Sequence, residues 1–169
     1  LTKFLNNLKT QPDLLHVIDH SNAVYMNRIP SKSKTKRVLT CHDLIALRMS
    51  KNEFPDAPRI SKTGKQLQNW VCKSLGNADA YACDSSFTEK DINIIIPHSK
   101  GKSEVIHLGV RPKAKVQSRE SELPFDPSNT KYLLHVGSSA WYKNRKAILT
   151  AFSHLLKNSD QPAVNLVFV

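Results

Sequence analysis

Cysteine, glycine and acidic side chains are all scarce in this chain of 169 residues, and no long stretch of it is uniformly apolar. The three cysteines, Cys41, Cys72 and Cys83, form no CxxC pair and no even set, which excludes a disulfide scaffold and implies no structural zinc. Reduced thiols in a cytosol are the simplest reading. With 5 glycines and 9 prolines the sequence is neither collagen-like nor of low complexity. Only 14 acids stand against 25 Lys+Arg, a formal charge of +11, which excludes an acidic disordered tail. Residues 92–97 and 164–169 are the longest apolar stretches, and Asn93 and Asn165 interrupt them. Both fall far short of the about 18 apolar residues of a transmembrane helix, and no signal peptide opens the chain.

What is present is a 40% apolar content, enough for a sizeable core. The charge excess lies mainly in the first two thirds, and its densest run, Ser31 to Arg37, has no interleaved aromatics. That pattern favours a solvated loop over a nucleic-acid or phospholipid contact.

Six short apolar segments read as strands: Leu14 to Ile18, Val38 to Cys41, Ala80 to Cys83, Glu104 to Leu108, Tyr132 to Val136 and Val164 to Val169. Several are nearly continuous in apolar character, which suits strands covered on both faces by helices. Helical periodicity lies between them. Leu67, Trp70, Val71 and Leu75 share one face of a helix from Ser61 to Gly76. The run Ser86-Phe87-Thr88-Glu89 has the form of a capping box with Ser86 as cap, which puts Phe87 in the first turn and Ile92, Ile95 and Ile96 on the buried side. Asn144 can cap a third helix, with Ile148, Phe152, Leu155 and Leu156 in register. Alternating strands and helices predict an α/β fold with a mostly parallel sheet flanked by helices and joined by right-handed crossovers.

Residues 112–129, with Pro112, Pro124 and Pro127 and no apolar periodicity, read as a linker between residues 1–111 and residues 130–169. Two strands and one helix cannot close a core alone, so the sequence reads as a fragment of a longer protein.

In open parallel sheets, ligands bind beyond the carboxyl ends of the strands. That rule selects His42 and Asp43, then Ser85 and Ser86, then Gly137 to Lys143. The last group is the most specific. Gly137, Ser138 and Ser139 let backbone approach a ligand, and Lys143, Asn144, Arg145 and Lys146 stand at the mouth of a helix, as a phosphate site is built. A lysine at about 4 Å from a phosphate oxygen contributes roughly 4 kcal/mol of gross attraction at an effective dielectric of 20. Neither a P-loop nor a GxGxxG fingerprint is present.

Four motifs, Val38-Leu39-Thr40-Cys41-His42-Asp43-Leu44-Ile45, Asp84-Ser85-Ser86-Phe87-Thr88-Glu89-Lys90-Asp91-Ile92, Glu104-Val105-Ile106-His107-Leu108-Gly109-Val110, and Tyr132-Leu133-Leu134-His135-Val136-Gly137 followed by Trp141-Tyr142-Lys143-Asn144-Arg145, occur in the order seen in retaining glycosyltransferases of family four, the group 1 set. The chain resembles that family over nearly its whole length. The resemblance implies a partial GT-B architecture of two Rossmann-like domains, residues 1–111 from the acceptor side and residues from 130 opening the donor side. It implies transfer of a hexosyl group, with retention, from a UDP- or GDP-linked sugar to a glycan or lipid-linked acceptor, with no further cofactor and no metal site. His42 matches the active-site histidine, and Lys143 matches the lysine that binds the donor diphosphate. Gly137, Ser138, Ser139, Asn144 and Arg145 complete the expected donor-binding set. Arg145 is an additional cation, but the family's usual arginine precedes the lysine, where this chain has Ser138 and Ser139 and so departs from the pattern of the second diphosphate contact. The implied setting is cytoplasmic, peripheral at the inner face of an anionic membrane, with no specific nucleic acid as partner.

Two other classes compete. An HD-type metal phosphohydrolase would use His42 and Asp43 with His16, His20 and Asp79. A basic module for nucleic acid or anionic lipid would use the +11 charge.

Overall fold

A computed structural model describes residues 11–30, 33–109, 125–158 and 164–169. Ser31 and Lys32 of the basic run, and most of the expected linker, lie outside the described residues. The chain divides into two compact units, residues 1–110 and residues 111–169.

The first unit is a four-stranded sheet of β1 (Leu14–Val17), β2 (Lys36–Cys41), β3 (Ala80–Cys83) and β4 (Ser103–Val105), in that order and parallel throughout. A 3₁₀ segment, His20–Arg28, joins β1 to β2; α1 (Ile45–Ser50) and α2 (Lys62–Leu75) join β2 to β3; α3 (Ser86–Ile95) joins β3 to β4. This is the α/β, Rossmann-like class expected from the alternation.

One expectation fails instructively. Among the described residues the sheet is covered on one face only. Leu39, Cys41, Tyr81 and Cys83 are buried in a single core with Met26, Leu47, Val71, Leu75 and Ile92 from the connecting segments. The alternate residues Val38, Thr40, Ala80 and Ala82 are only half-buried, and His16 is exposed. The cause is topological. Each strand lies beside its predecessor in the same direction, so right-handed crossovers stack every connection on the same side.

Helix faces also differ from expectation. Val71 and Leu75 of α2 are buried, whereas Leu67 and Trp70 each keep 51% of their surface exposed. In α3, Ile92 and Ile96 are buried and Ile95 packs against the core, but Phe87 points outward at 72% exposure. The cap of α3 is Ser85, one residue before the Ser86 expected: its Oγ accepts from Thr88 N at 3.1 Å, and Ser86 is exposed. Ser85→Ala should therefore cost about 1 kcal/mol in urea denaturation while Ser86→Ala costs almost nothing. Equal effects would move the cap back to Ser86.

The second unit pairs β5 (Lys131–His135) in parallel with β6 (Val164–Phe168) and adds α4 (Arg145–Lys157). Asn144 caps α4 as expected, its Oδ1 accepting from Ala147 N at 3.3 Å. None of α4 is buried. Ile148, Phe152 and Leu155 instead line an open apolar groove of about 410 Å³ with Leu133, His135 and Leu166, while Leu156 is half exposed outside it.

Candidate functional site

In the first unit, the carboxyl ends of the four strands bring His42 beside Asp84. Cys41 stands opposite Cys83 in the parallel ladder, so the next residues, His42 and Asp84, leave the sheet side by side. His42 Nδ1 lies 3.1 Å from Asp84 Oδ2, and His42 Nε2 lies 3.1 Å from the carbonyl oxygen of Ile18, which follows β1. Both partners are acceptors. A neutral imidazole has one donor nitrogen, so the geometry suits the imidazolium, with both N–H groups donating. The Asp84 carboxylate, seconded by the Ile18 carbonyl, outweighs desolvation and raises the His42 pKa from its ordinary 6.5.

The loops around this pair are pinned. Thr88 Oγ1 donates to the His42 carbonyl at 2.9 Å, and His107 Nδ1 lies 3.1 Å from the Asp84 carbonyl. Asp43 is occupied locally, accepting from Ile45 N at 3.0 Å. Asp19 accepts from the Ser21 side chain and backbone, which holds its pKa below the usual carboxylate range. Beneath the rim, burial keeps both neighbouring thiols protonated, with Cys83 pushed up to about 11 and Cys41 higher still. Neither thiol is a nucleophile at neutral pH.

The ligand set of a phosphohydrolase does not assemble. His16 Nε2 meets Thr40 Oγ1 at 2.8 Å on the uncovered sheet face. Asp79 precedes β3, at the opposite end of the strand from Asp84, and accepts from Arg37 N at 2.8 Å. Among the described residues no group of three or more His, Cys, Asp or Glu could hold a metal ion.

In the second unit, β5 ends at His135 and the ladder runs one step further, Gly137 N donating to Val169 O at 2.9 Å. A side chain at Gly137 would meet the His135 ring, with Cε1 at 3.2 Å from its Cβ, and the stem of Lys143 at 3.7 Å. The close approach that glycine relieves is that of the His135 ring, since 3.7 Å to Lys143 is ordinary contact. Ser138 and Ser139 are exposed, and Ser138 Oγ accepts from Ala140 N at 3.4 Å. A 3₁₀ turn, Trp141–Lys143, then leads to Asn144, whose φ of 48° is left-handed. Asparagine tolerates that region better than most residues.

Neither a protein-family model nor a curated protein sequence matches the chain.

The cations at the head of α4 divide into two kinds. Arg145 is turned inward: its Nη2 donates to the Gly137 carbonyl and its guanidinium lies 5.1 Å from the centre of the Phe168 ring. Lys143 and Lys146 are exposed and have no ion-pair partner among the described residues. Lys143 Nζ lies 5.5 Å from the centre of the Tyr142 ring. So Arg145 fixes the strand-to-helix turn, and two lysines beside a helix N-terminus remain for an anion.

Sequence reasoning missed Asp84 as a site residue, although the aligned ends Thr40-Cys41-His42-Asp43 and Ala82-Cys83-Asp84-Ser85 carried the signal. The Ile18 contact is made by backbone and leaves no trace in residue type.

Proposed function

We propose that the chain supplies acceptor-side and donor-side parts of a retaining hexosyltransferase of the family-four type, acting on a UDP- or GDP-linked sugar and a glycan or lipid-linked acceptor. The observation that carries this reading is the pair of exposed lysines, Lys143 and Lys146, at the N-terminus of α4 just beyond the Gly137 turn, neither with an ion-pair partner among the described residues. As the bond from the anomeric carbon to the diphosphate breaks, its electron pair is left on a phosphate oxygen. Cations and helix N–H groups already in place favour that charge more in the transition state than in the bound donor.

His42 enters as a cation and hydrogen-bond donor. With both ring nitrogens facing acceptors it does not act as a base. To reach a sugar hydroxyl, Nε2–H would leave the Ile18 carbonyl while Nδ1–H stays on Asp84.

Calorimetric titration of the whole chain with UDP and with GDP tests the donor site. Binding of one of them should weaken about tenfold in Lys143→Ala, which corresponds to about 1.4 kcal/mol. Unchanged affinity would remove the diphosphate role of Lys143.

A further inference from the structure

We propose, on the acceptor-side reading of the first unit, that His107 binds the sugar acceptor, the bare Nε2 of its ring receiving a hydrogen bond from an acceptor hydroxyl. The ladder carries on one step past β4, Ile106 N donating to the Cys83 carbonyl at 2.7 Å, so His107 emerges at the same rim as Asp84 and His42. There its Nδ1 lies 3.1 Å from the Asp84 carbonyl oxygen, which can only accept. Nδ1 therefore holds the proton. In the uncharged ring this leaves Nε2 as an acceptor, and His107 is exposed, with no partner for Nε2 among the described residues.

One residue sets opposite roles for the two rim histidines. Asp84 turns its carboxylate to His42 Nδ1 and its carbonyl to His107 Nδ1. His42 faces acceptors with both nitrogens and can only donate, whereas His107 presents a lone pair on a ring fixed from its other side. Local charge then selects the ligand. The residues leaving the four strands, Ile18-Asp19-His20, His42-Asp43-Leu44, Asp84-Ser85-Ser86 and Ile106-His107-Leu108, include three carboxylates and no Lys or Arg, in a chain of +11. His42 offsets Asp84, which leaves Asp19 and Asp43 as uncompensated negative charge. Phosphate and carboxylate ligands are repelled by that charge and have no proton for Nε2. An uncharged hydroxyl has one. Held through its proton, its oxygen keeps its own lone pairs free to face the anomeric carbon.

Nitrogen-15 spectra of the histidine rings in the whole chain at pH 8 are the test. Without ligand, His107 is expected to show a protonated Nδ1 and a bare Nε2. In titrations with the methyl glycosides of mannose, glucose and galactose, at least one should move the Nε2 resonance upfield, as a nitrogen does on accepting a hydrogen bond, while inorganic phosphate leaves it in place. His107→Phe should weaken binding of that glycoside about tenfold, the loss of one hydrogen bond. His107→Gln, whose amide oxygen can accept, should weaken it less, and the His42 resonances should stay where they are in both. A bare Nδ1, an Nε2 that no glycoside moves, a larger response to phosphate or to ethylammonium, or full affinity in His107→Phe would overturn the proposal. Failure of the donor reading is seen separately, as nucleotide binding indifferent to Lys143→Ala while the His107 results stand.

Discussion

Tyr81→Ala is expected to lower the unfolding free energy by about 3–5 kcal/mol, the cost of emptying an aromatic site in a packed core. Tyr81 is 2% exposed on β3, between Leu39 of β2 and Ser103 of β4 in the ladder. Its hydroxyl donates to the Leu75 carbonyl at 2.9 Å, tying β3 to the end of α2, and burial pushes its pKa up to about 12. Tyr81→Phe keeps the ring and drops the bond, and should cost only about 1 kcal/mol, because the Leu75 carbonyl still accepts from Ala78 N at 3.2 Å. Urea denaturation separates the two losses. A Tyr81→Ala variant within 1 kcal/mol of the original protein would mean that this ring is not the centre of the core.

Asp84→Asn is expected to cost about 1.5 kcal/mol at pH 6, the lower end for a hydrogen bond to a charged group because 39% of the His42 side chain remains in water. The cost should shrink above neutral pH. A histidine whose folded pKa is raised contributes stability that is complete below its ordinary 6.5 and is lost as pH rises through the folded value. Denaturation midpoints from pH 5.5 to 9 should therefore converge for Asp84→Asn and the original protein at the alkaline end. In a His42→Gln background, Asp84→Asn should have little further effect, since the cycle isolates the pair. A constant difference across the range would show that Asp84 acts without a charged His42.

Why strands were easier to read than faces follows from what each depends on. Ala80–Cys83 begins and ends where its apolar run does, because four apolar residues between polar ones leave one choice of strand. Which side of a helix is covered depends instead on partners far away in sequence. Leu67, Trp70 and Phe87 follow the right period, but the sheet beneath α2 and α3 is wide enough to cover Val71, Leu75 and Ile92 and no wider. Ser85 and Ser86 are chemically equivalent candidates, and the strand end at Cys83 decides between them. At the candidate site, His42 and Lys143 were legible as residue types at strand ends. Asp84 needed the parallel register, and the inward turn of Arg145 needed the Phe168 ring on the paired strand, which the local motif does not contain.

The side-by-side burial of Cys41 and Cys83 gives the first unit a built-in clock of its own opening. Both thiols sit under the helical layer, while Cys72 on α2 is half-buried. A thiol reagent in solution therefore meets Cys72 in the closed molecule and reaches the other two only when helices part from sheet. The order in which the three sulfurs are labelled reports, without any introduced probe, whether α2 lifts alone or the whole layer leaves together.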